Sequence, residues 1–447
     1  MGRKKNPKAV VLVDGEHYPK VVARALRELE EQGENLVLAL LVGGGEKLGQ
    51  EESELGVELE IASKDPEAAL AKALDDHGAT RVIDISDEPV LGYTARFRLA
   101  SVALWKGAEY IGADFVFKPP ALPDIVDFPS IGIIGTGKRT GKTAVAGYAA
   151  GLYRKKGLKP VIVAMGRGGP PEPEVISRPD SLDAKSLLEM VDQGKHAASD
   201  YLEDALIGGV PTIGAWRAGG GLAGQTSFGN YPAAIEKLDE LEPGLVILEG
   251  SGSALPEASW DAGVLIVNAA IDPSHLCSYF GYYRLLLSDL VVLTMCEESI
   301  DREQLKAVES CIRRGSLKKL EIIRTVFRPH PLADVAGKKV LYATTAPKEA
   351  GPTLKRHLEE EHHAEVVHVS HSLADRETLR KELETFDQAE VAVVELKAAG
   401  VDVVTRAAIE KEMEVVYVEN RPVPVDDQDI DRLLIELANS AAESFKK

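Results

Sequence analysis

The chain of 447 residues is 45% hydrophobic and carries a formal net charge of −19 at pH 7. That length suggests roughly two to four domains with sizeable cores, and the acid excess argues against a general nucleic-acid binder, which needs a basic surface. No apolar run reaches membrane-spanning length, and the three cysteines, Cys277, Cys296 and Cys311, show no CxxC spacing, so neither a disulfide framework nor a zinc site is indicated.

The start, MGRKKNPKAVVLVDGEHYP, has a basic beginning and a short apolar run that leads into an acidic turn. It reads as a first strand, not a signal peptide, so a cytoplasmic protein with no membrane partner is expected. Asn and Gln are scarce beside Glu, Lys and Arg, which leans toward a heat-adapted source.

Residues 1–124 read as a first α/β domain. Strands are expected at 9–13, 36–42, 81–85 and 114–117, and helices at 19–32, 66–77 and 93–106. Such alternation implies a mostly parallel sheet. The stretch VDGEHYP follows the first strand, and ligands of open parallel sheets sit beyond the C-terminal ends of strands. Asp14, Glu16 and His17 are therefore candidate ligand or metal contacts; the alternative is a polar loop with Pro19 opening the next helix. Gly43-Gly44-Gly45 is either a flexible turn or a phosphate-facing loop. The proline-rich 118–123 stretch cannot continue a helix or strand and reads as a linker.

Residues 125–336 read as the catalytic domain. The apolar run 131–134 is a buried strand, 144–156 is a helix, and between them lies GTGKRTGKT, Gly135 to Thr143. A glycine-rich turn between strand and helix lets backbone N–H groups converge on an anion. Gly135, Thr136, Gly137, Thr140, Gly141, Lys142 and Thr143 are the expected nucleotide contacts, with Lys142 on the outer phosphates and Thr143 on Mg²⁺. The pattern G-x-x-x-x-G-K-[ST] is not met literally, because Thr136 stands where the first glycine belongs and Gly135 comes one position early. Lys138 and Arg139 are extra cations inside the loop, suited to charge on a transferring phosphoryl group.

A strand over 160–165 ends in GRGGPPEPEVI, where Arg167, Gly168 and Gly169 suit an anionic group. Helices are expected over 183–192 and 199–207, then a short strand at 211–215. The glycine-rich segment 216–232 follows, read as a mobile loop or lid with Arg217 and Gln225 as its ligand contacts. The apolar strand 245–248 ends in Glu249-Gly250-Ser251-Gly252, which makes Glu249 the expected magnesium acid beside Thr143. Strands at 264–268, 290–294 and 321–327 complete the domain. Arg324, Arg328 and His330 either reach the site or cover the sheet edge.

Residues 337–447 read as a third α/β domain, with strands at 339–343, 365–369, 390–395 and 414–418 and a final helix over 428–445. His362, His363, His368 and His371 read as solvated surface histidines. The fold class is thus α/β, with a central P-loop domain on a mostly parallel sheet, flanked by two smaller Rossmann-like domains.

GTGKRTGKT resembles the variant P-loop of dethiobiotin synthetase-type enzymes, and Glu249-Gly250-Ser251-Gly252 is similar to their EGxG stretch. The whole chain resembles the archaeal cyclic 2,3-diphosphoglycerate synthetases. VDGEHYP, GTGKRTGKT, MGRGGPPEP and the glycine-rich loop from Arg217 carry that likeness, in the same order and at similar chain length. The resemblance implies ATP-dependent closure of 2,3-diphosphoglycerate to its cyclic phosphoanhydride with Mg²⁺, in a homodimer. Catalytic roles fall to Lys142, Lys138, Arg139 and Arg167. Two rivals share the sequence features: another P-loop ligase or kinase of a small anion, and a nucleotide-switched ATPase that binds a partner.

Overall fold

The computed structural model describes residues 6–44, 55–62, 64–314 and 317–446. Among these the chain forms two compact units, one of Met1–Ala121, Ala270–Asp289 and Asp301–Leu320, the other of Leu122–Ala269, Leu290–Ile300 and Glu321–Lys447.

In the first unit the strands are β1 (Lys8–Val13), β2 (Asn35–Leu41), β3 (Leu59–Ile61), β4 (Arg81–Asp84), β5 (Glu109–Ile111) and β6 (Val116–Phe117), in the order β3-β2-β1-β4-β5-β6. All pair in parallel except β5 with β6. Helices α1 (Pro19–Glu31), α2 (Pro66–His77) and α3 (Tyr93–Trp105) connect them. Both α1 and α2 open on a proline in the first turn, where its missing N–H costs nothing. The central β1 is buried from Ala9 onward, as expected of a parallel strand covered on both faces. The short β3 and β5 escaped the sequence reading because three residues carry no usable alternation.

The helices Ser274–Cys277, Gly281–Leu286 and Arg302–Arg314 also belong to this unit. A disulfide, Cys277–Cys311, ties two of them with Cα atoms 5.2 Å apart. The expectation of no disulfide is corrected here: the 34-residue separation has no local signature, and the pairing exists because the two helices pack together. Cys296 is a buried thiol whose S–H reaches the Leu293 carbonyl at 3.6 Å.

The second unit is built on one large sheet. Its strands are β7 (Ser130–Gly135), β8 (Pro160–Gly166), β9 (Glu174–Ile176), β10 (Thr212–Ala218), β11 (Phe228–Gly229), β12 (Leu245–Glu249), β13 (Ala262–Asn268), β14 (Leu290–Thr294), β15 (Glu321–Pro331), β16 (Lys339–Ala343), β17 (Glu365–Ser370), β18 (Val391–Glu395) and β19 (Glu414–Pro424). Their order is β11-β10-β8-β12-β7-β13-β14-β15-β19-β18-β16-β17, with β9 beside β10. From β10 to β15 the pairing is parallel, and so is it from β19 to β17. The two blocks join through the antiparallel pair β15–β19, in register from Thr325↔Pro424 to Pro331↔Val418.

The C-terminal strands therefore continue the P-loop sheet, because β15 and β19 each run eleven residues, well past their parallel segments. The last helix, Ile430–Phe445, packs on β7, β13 and the P-loop helix α4 (Lys142–Lys155). Leu434 and Leu437 join Val145, Ala149 and Tyr153 in one core, each buried leucine contributing about 1.5–3 kcal/mol. The Tyr153 hydroxyl donates to the Leu434 carbonyl at 3.0 Å. No helix among the described residues is long and apolar enough to cross a membrane.

Candidate active site

Strand β7 lies between β12 and β13, so its C-terminal end opens into the crevice where open parallel sheets bind ligands. The loop GTGKRTGKT begins there. Gly141 has φ +91° and opens α4; a methyl on it would lie 2.2 Å from Phe327 Cζ, so only glycine fits. A methyl on Gly135 would lie 2.9 Å from Lys142 Cδ, which explains glycine at this earlier position: the lysine stem passes directly over it. Arg139 takes φ +56°, a left-handed conformation costing about 1–2 kcal/mol outside glycine.

Lys142 is 7% exposed, and its Nζ donates to the Gly137 carbonyl at 3.0 Å. Burial lowers its pKa, while Glu249 and Asp200 oppose that. The Thr140 carbonyl accepts from Thr294 Oγ1 at 2.8 Å, pinning the loop to β14. Strand register places the acid: Glu249 stands opposite Ile133, two residues before the loop, and Gly250 N donates to the Ile133 carbonyl at 2.9 Å. Thr143 Oγ1 donates to Glu249 Oε1 at 2.9 Å.

Glu249 has a neighbour absent from the sequence reading. Asp204, in helix α6 (Asp200–Gly208), is fully buried, and its carboxyl faces that of Glu249. Both Asp204 oxygens and Glu249 Oε2 lack a protein donor among the described residues. Burial pushes both acids up, and the charge of Glu249 pushes Asp204 up further. Asp200 sits one turn earlier, with Oδ2 3.4 Å from where a methyl on Gly166 would lie. Glu203 accepts from Lys397 Nζ at 2.7 and 2.9 Å, which brings the end of β18 against the same helix. Nothing local in the sequence signalled these contacts; α6 packs on α4, and that packing creates them.

Three cations meet at the Glu249-Gly250-Ser251-Gly252 turn. A methyl on Gly252, which has φ +62°, would lie 3.1 Å from Arg167 Nη2, 3.3 Å from Arg217 Nη2 and 3.8 Å from Lys138 Cγ. Arg217 lies on β10 and not in the loop; it is 8% exposed and donates to Ser251 O and Gly219 O, both at 2.7 Å. Burial and Arg167 lower its pKa. Arg167 and Lys138 are exposed, so their charged ends are available to a ligand. Arg139 is also exposed.

Several candidates have structural work of their own. A methyl on Gly169 would strike the Ala215 carbonyl at 2.0 Å, and one on Gly168 would approach His196 Nδ1 at 3.3 Å; both glycines serve close packing of the loop after β8. The glycine-rich segment read as a mobile lid is a bonded hairpin: Gly221 N donates to Gln225 O, Ser227 N to Ala218 O and Leu255 N to Gly224 O. Gln225 Nε2 donates to the Thr226 carbonyl at 3.3 Å. Arg328 forms a forked pair with Glu297 at 2.7 and 3.0 Å, and Arg324 pairs with Asp426 at 2.8 Å.

In the first unit, Asp14 is 1% exposed. Its Oδ1 accepts from Glu16 N and His17 N at 2.9 and 3.0 Å and lies 2.8 Å from His17 Nδ1, while Oδ2 accepts from Asp87 N at 2.6 Å. Burial pushes its pKa up, but these hydrogen bonds outweigh that and hold it low. Asp14 thus braces the loops after β1 and β4, leaving Glu16 and His17 facing outward. Gly15 N donates to the Gly43 carbonyl at 2.8 Å, so Gly43 and Gly44 are a packed turn; Gly45 lies outside the described residues.

Three family models of cyclic 2,3-diphosphoglycerate synthetase match the chain: the N-terminal domain over 8–118, the P-loop domain over 130–326 and the C-terminal domain over 331–421. The chain belongs to the cyclic 2,3-diphosphoglycerate synthetase family. Relatives carrying that name include one from Rubrobacter xylanophilus, 43% identical over 97% of this chain and 98% of that one. One from Methanothermus fervidus is 42% identical over 98% of both, and one from Thermococcus gammatolerans is 45% identical over 96% of both. A solved DUF1611 family protein from Anabaena variabilis covers 83% of this chain and 96% of its own at 9% identity, with a TM-score of 0.20, a likeness too slight to bear on function. As a P-loop synthetase family, this one uses a nucleotide.

Proposed function

We propose that the chain is an ATP-dependent synthetase that joins the two phosphates of 2,3-diphosphoglycerate into an intramolecular phosphoanhydride, releasing ADP and phosphate. The observation that carries this reading is the meeting of Arg167, Arg217 and Lys138 around Gly252, directly after Glu249 and its bond to Thr143. A P-loop needs one lysine for its nucleotide. Three further cations suit a second, highly anionic substrate held against the first.

In this reading Lys142 and the loop N–H groups bind the β- and γ-phosphates. A substrate phosphate oxygen attacks the γ-phosphorus and ADP leaves. The second substrate phosphate then attacks the phosphorus of the first, and inorganic phosphate departs. Phosphate oxygens are already nucleophiles, so no general base is required. Lys138, Arg139 and Arg167 spread the charge, and Arg217 holds its partners in place. The work of the protein is to hold two mutually repelling phosphates together.

The donor set fits a magnesium ion: Thr143 hydroxyl, Glu249 and Asp204 are hard oxygen ligands, and three carboxyl oxygens there lack a protein donor among the described residues. Such an ion neutralises phosphate charge when bound. Gln225 and Arg328 are further substrate contacts in this proposal, Arg328 on release from Glu297. The resemblance to the family supports a cytoplasmic homodimer, which light scattering tests.

Phosphorus NMR of the protein with Mg-ATP and 2,3-diphosphoglycerate tests the reaction. Resonances of a cyclic phosphoanhydride should grow in step with ADP and phosphate. ADP release without that product would overturn the substrate assignment. If ¹⁸O placed in the substrate phosphates never reaches the released phosphate, the phosphorylated intermediate is wrong.

A further inference from the structure

We propose that His330, His357 and His362, gathered beside Arg421 and Lys155, form a second anion site that takes a polyvalent phosphate.

In the antiparallel pair β15–β19, Arg328 stands opposite Arg421 and His330 opposite Glu419. Alternate residues of a strand share a face, and directly opposed residues share it too, so these four side chains line one surface. The helix Gly351–His362 packs on β15 and adds His357 and His362. The rings of His330 and His362 lie edge to face with centroids 4.7 Å apart, and those of His357 and His362 are 5.7 Å apart. All three residues are partly exposed, so a solute can reach them.

The charges around them explain why an anion belongs there. Arg421 donates to Glu419 Oε2 from Nη2 and Nε, at 3.0 and 3.3 Å, and lies 5.8 Å over the Tyr148 ring. Arg328 is paired with Glu297. Lys155, at the end of α4, is exposed, and His363 and the exposed Glu361 flank His362. The ring of His362 lies beside the backbone of Pro329, and the Glu361 charge opposes the lowering of His357 and His362.

Burial first, and then Arg421 and the neighbouring rings, hold all three imidazoles below their ordinary pKa. They therefore stand near neutrality as uncharged N–H donors, and an anion bound beside them raises their affinity for a proton. Stacked neutral rings alone would need no surrounding cations. A phosphate dianion or a pyrophosphate presents enough acceptor oxygens for several of these N–H donors at once, and its charge is compensated by the exposed Lys155.

The test follows the histidine C2 protons by NMR while inorganic phosphate or pyrophosphate is added, with chloride at matched ionic strength as control. It is done on the full chain and on its Lys142→Ala variant, which disables the phosphate loop. The expected result is a saturable rise of about one pKa unit for the clustered imidazoles, unchanged in Lys142→Ala and lost in His330→Asn and His362→Gln. Should those two fail to fold, His357→Gln carries the same expectation of a weakened rise. A response that follows ionic strength alone, or one that vanishes in Lys142→Ala and survives the histidine changes, would overturn the proposal.

Discussion

Thr143 Oγ1 donates to Glu249 Oε1 across 2.9 Å, joining the first turn of the P-loop helix to the end of a strand more than a hundred residues later. The contact depends on β12 lying beside β7 in the register Glu249↔Ile133. Behind it, Asp204 closes the carboxylate pair with no exposure to solvent.

Glu249→Gln separates function from stability. The amide keeps the volume and can hydrogen-bond Asp204, which removes the cost of two desolvated acids side by side. Thermal unfolding should show a variant at least as stable as the parent. Phosphorus NMR should show cyclic product formation slowed by about 10²-fold or more. A clearly lower melting temperature would mean that the acid pair stabilises the fold.

Gly252→Ala addresses the cation cluster. The new methyl would crowd Arg167 and Arg217 at 3.1 and 3.3 Å, at φ +62°. A cost of about 1 kcal/mol in stability is expected from the backbone alone. Steady-state kinetics should show KM for the bisphosphate raised by about tenfold, with KM for ATP little changed. Equal effects on both substrates would place the cluster on the nucleotide instead.

Replacing Cys277 and Cys311 by serine removes a link closing a loop of 34 residues. Urea unfolding should show a loss of about 2–4 kcal/mol, with catalysis in the folded variant unaltered. No change in stability would mean that the thiols are reduced in the parent protein.

His330 sets a pH window. Burial and Arg421 bring its pKa from 6.5 down to about 4. Between those values the unfolded chain takes up a proton that the native imidazole refuses, so acidification favours unfolding. Stability, measured by urea titration at pH 7 and pH 5, should fall on acidification, and His330→Asn should flatten that slope. The same slope in the variant would assign the effect to other groups.

Much of the fold was legible because its signals are local. Apolar runs such as 131–134 and 245–248 mark buried strands, and the glycines, lysine and threonine of GTGKRTGKT mark a phosphate loop whatever surrounds it. Strands of three residues, such as β3, β5 and β9, were missed because they are too short for any periodicity. The sequence reading put Arg217 in a loop as a ligand contact; that it is a buried strand residue held by Ser251 was not legible, because its placement depends on β10 pairing with β8.

By itself the sequence determined the α/β class, the place of the phosphate loop and the acid at the end of β12, since each rests on residues close together in the chain. Only the tertiary structure decided that Asp204 faces Glu249, that Lys397 reaches Glu203, that Cys277 meets Cys311 and that Arg328 is held by Glu297. It also decided that the C-terminal strands extend the P-loop sheet through β15 and β19. The physical reason is that parallel strands of similar apolar composition can be ordered in many ways. The order is set by the summed packing of the helices that cover them, and no single segment carries that information.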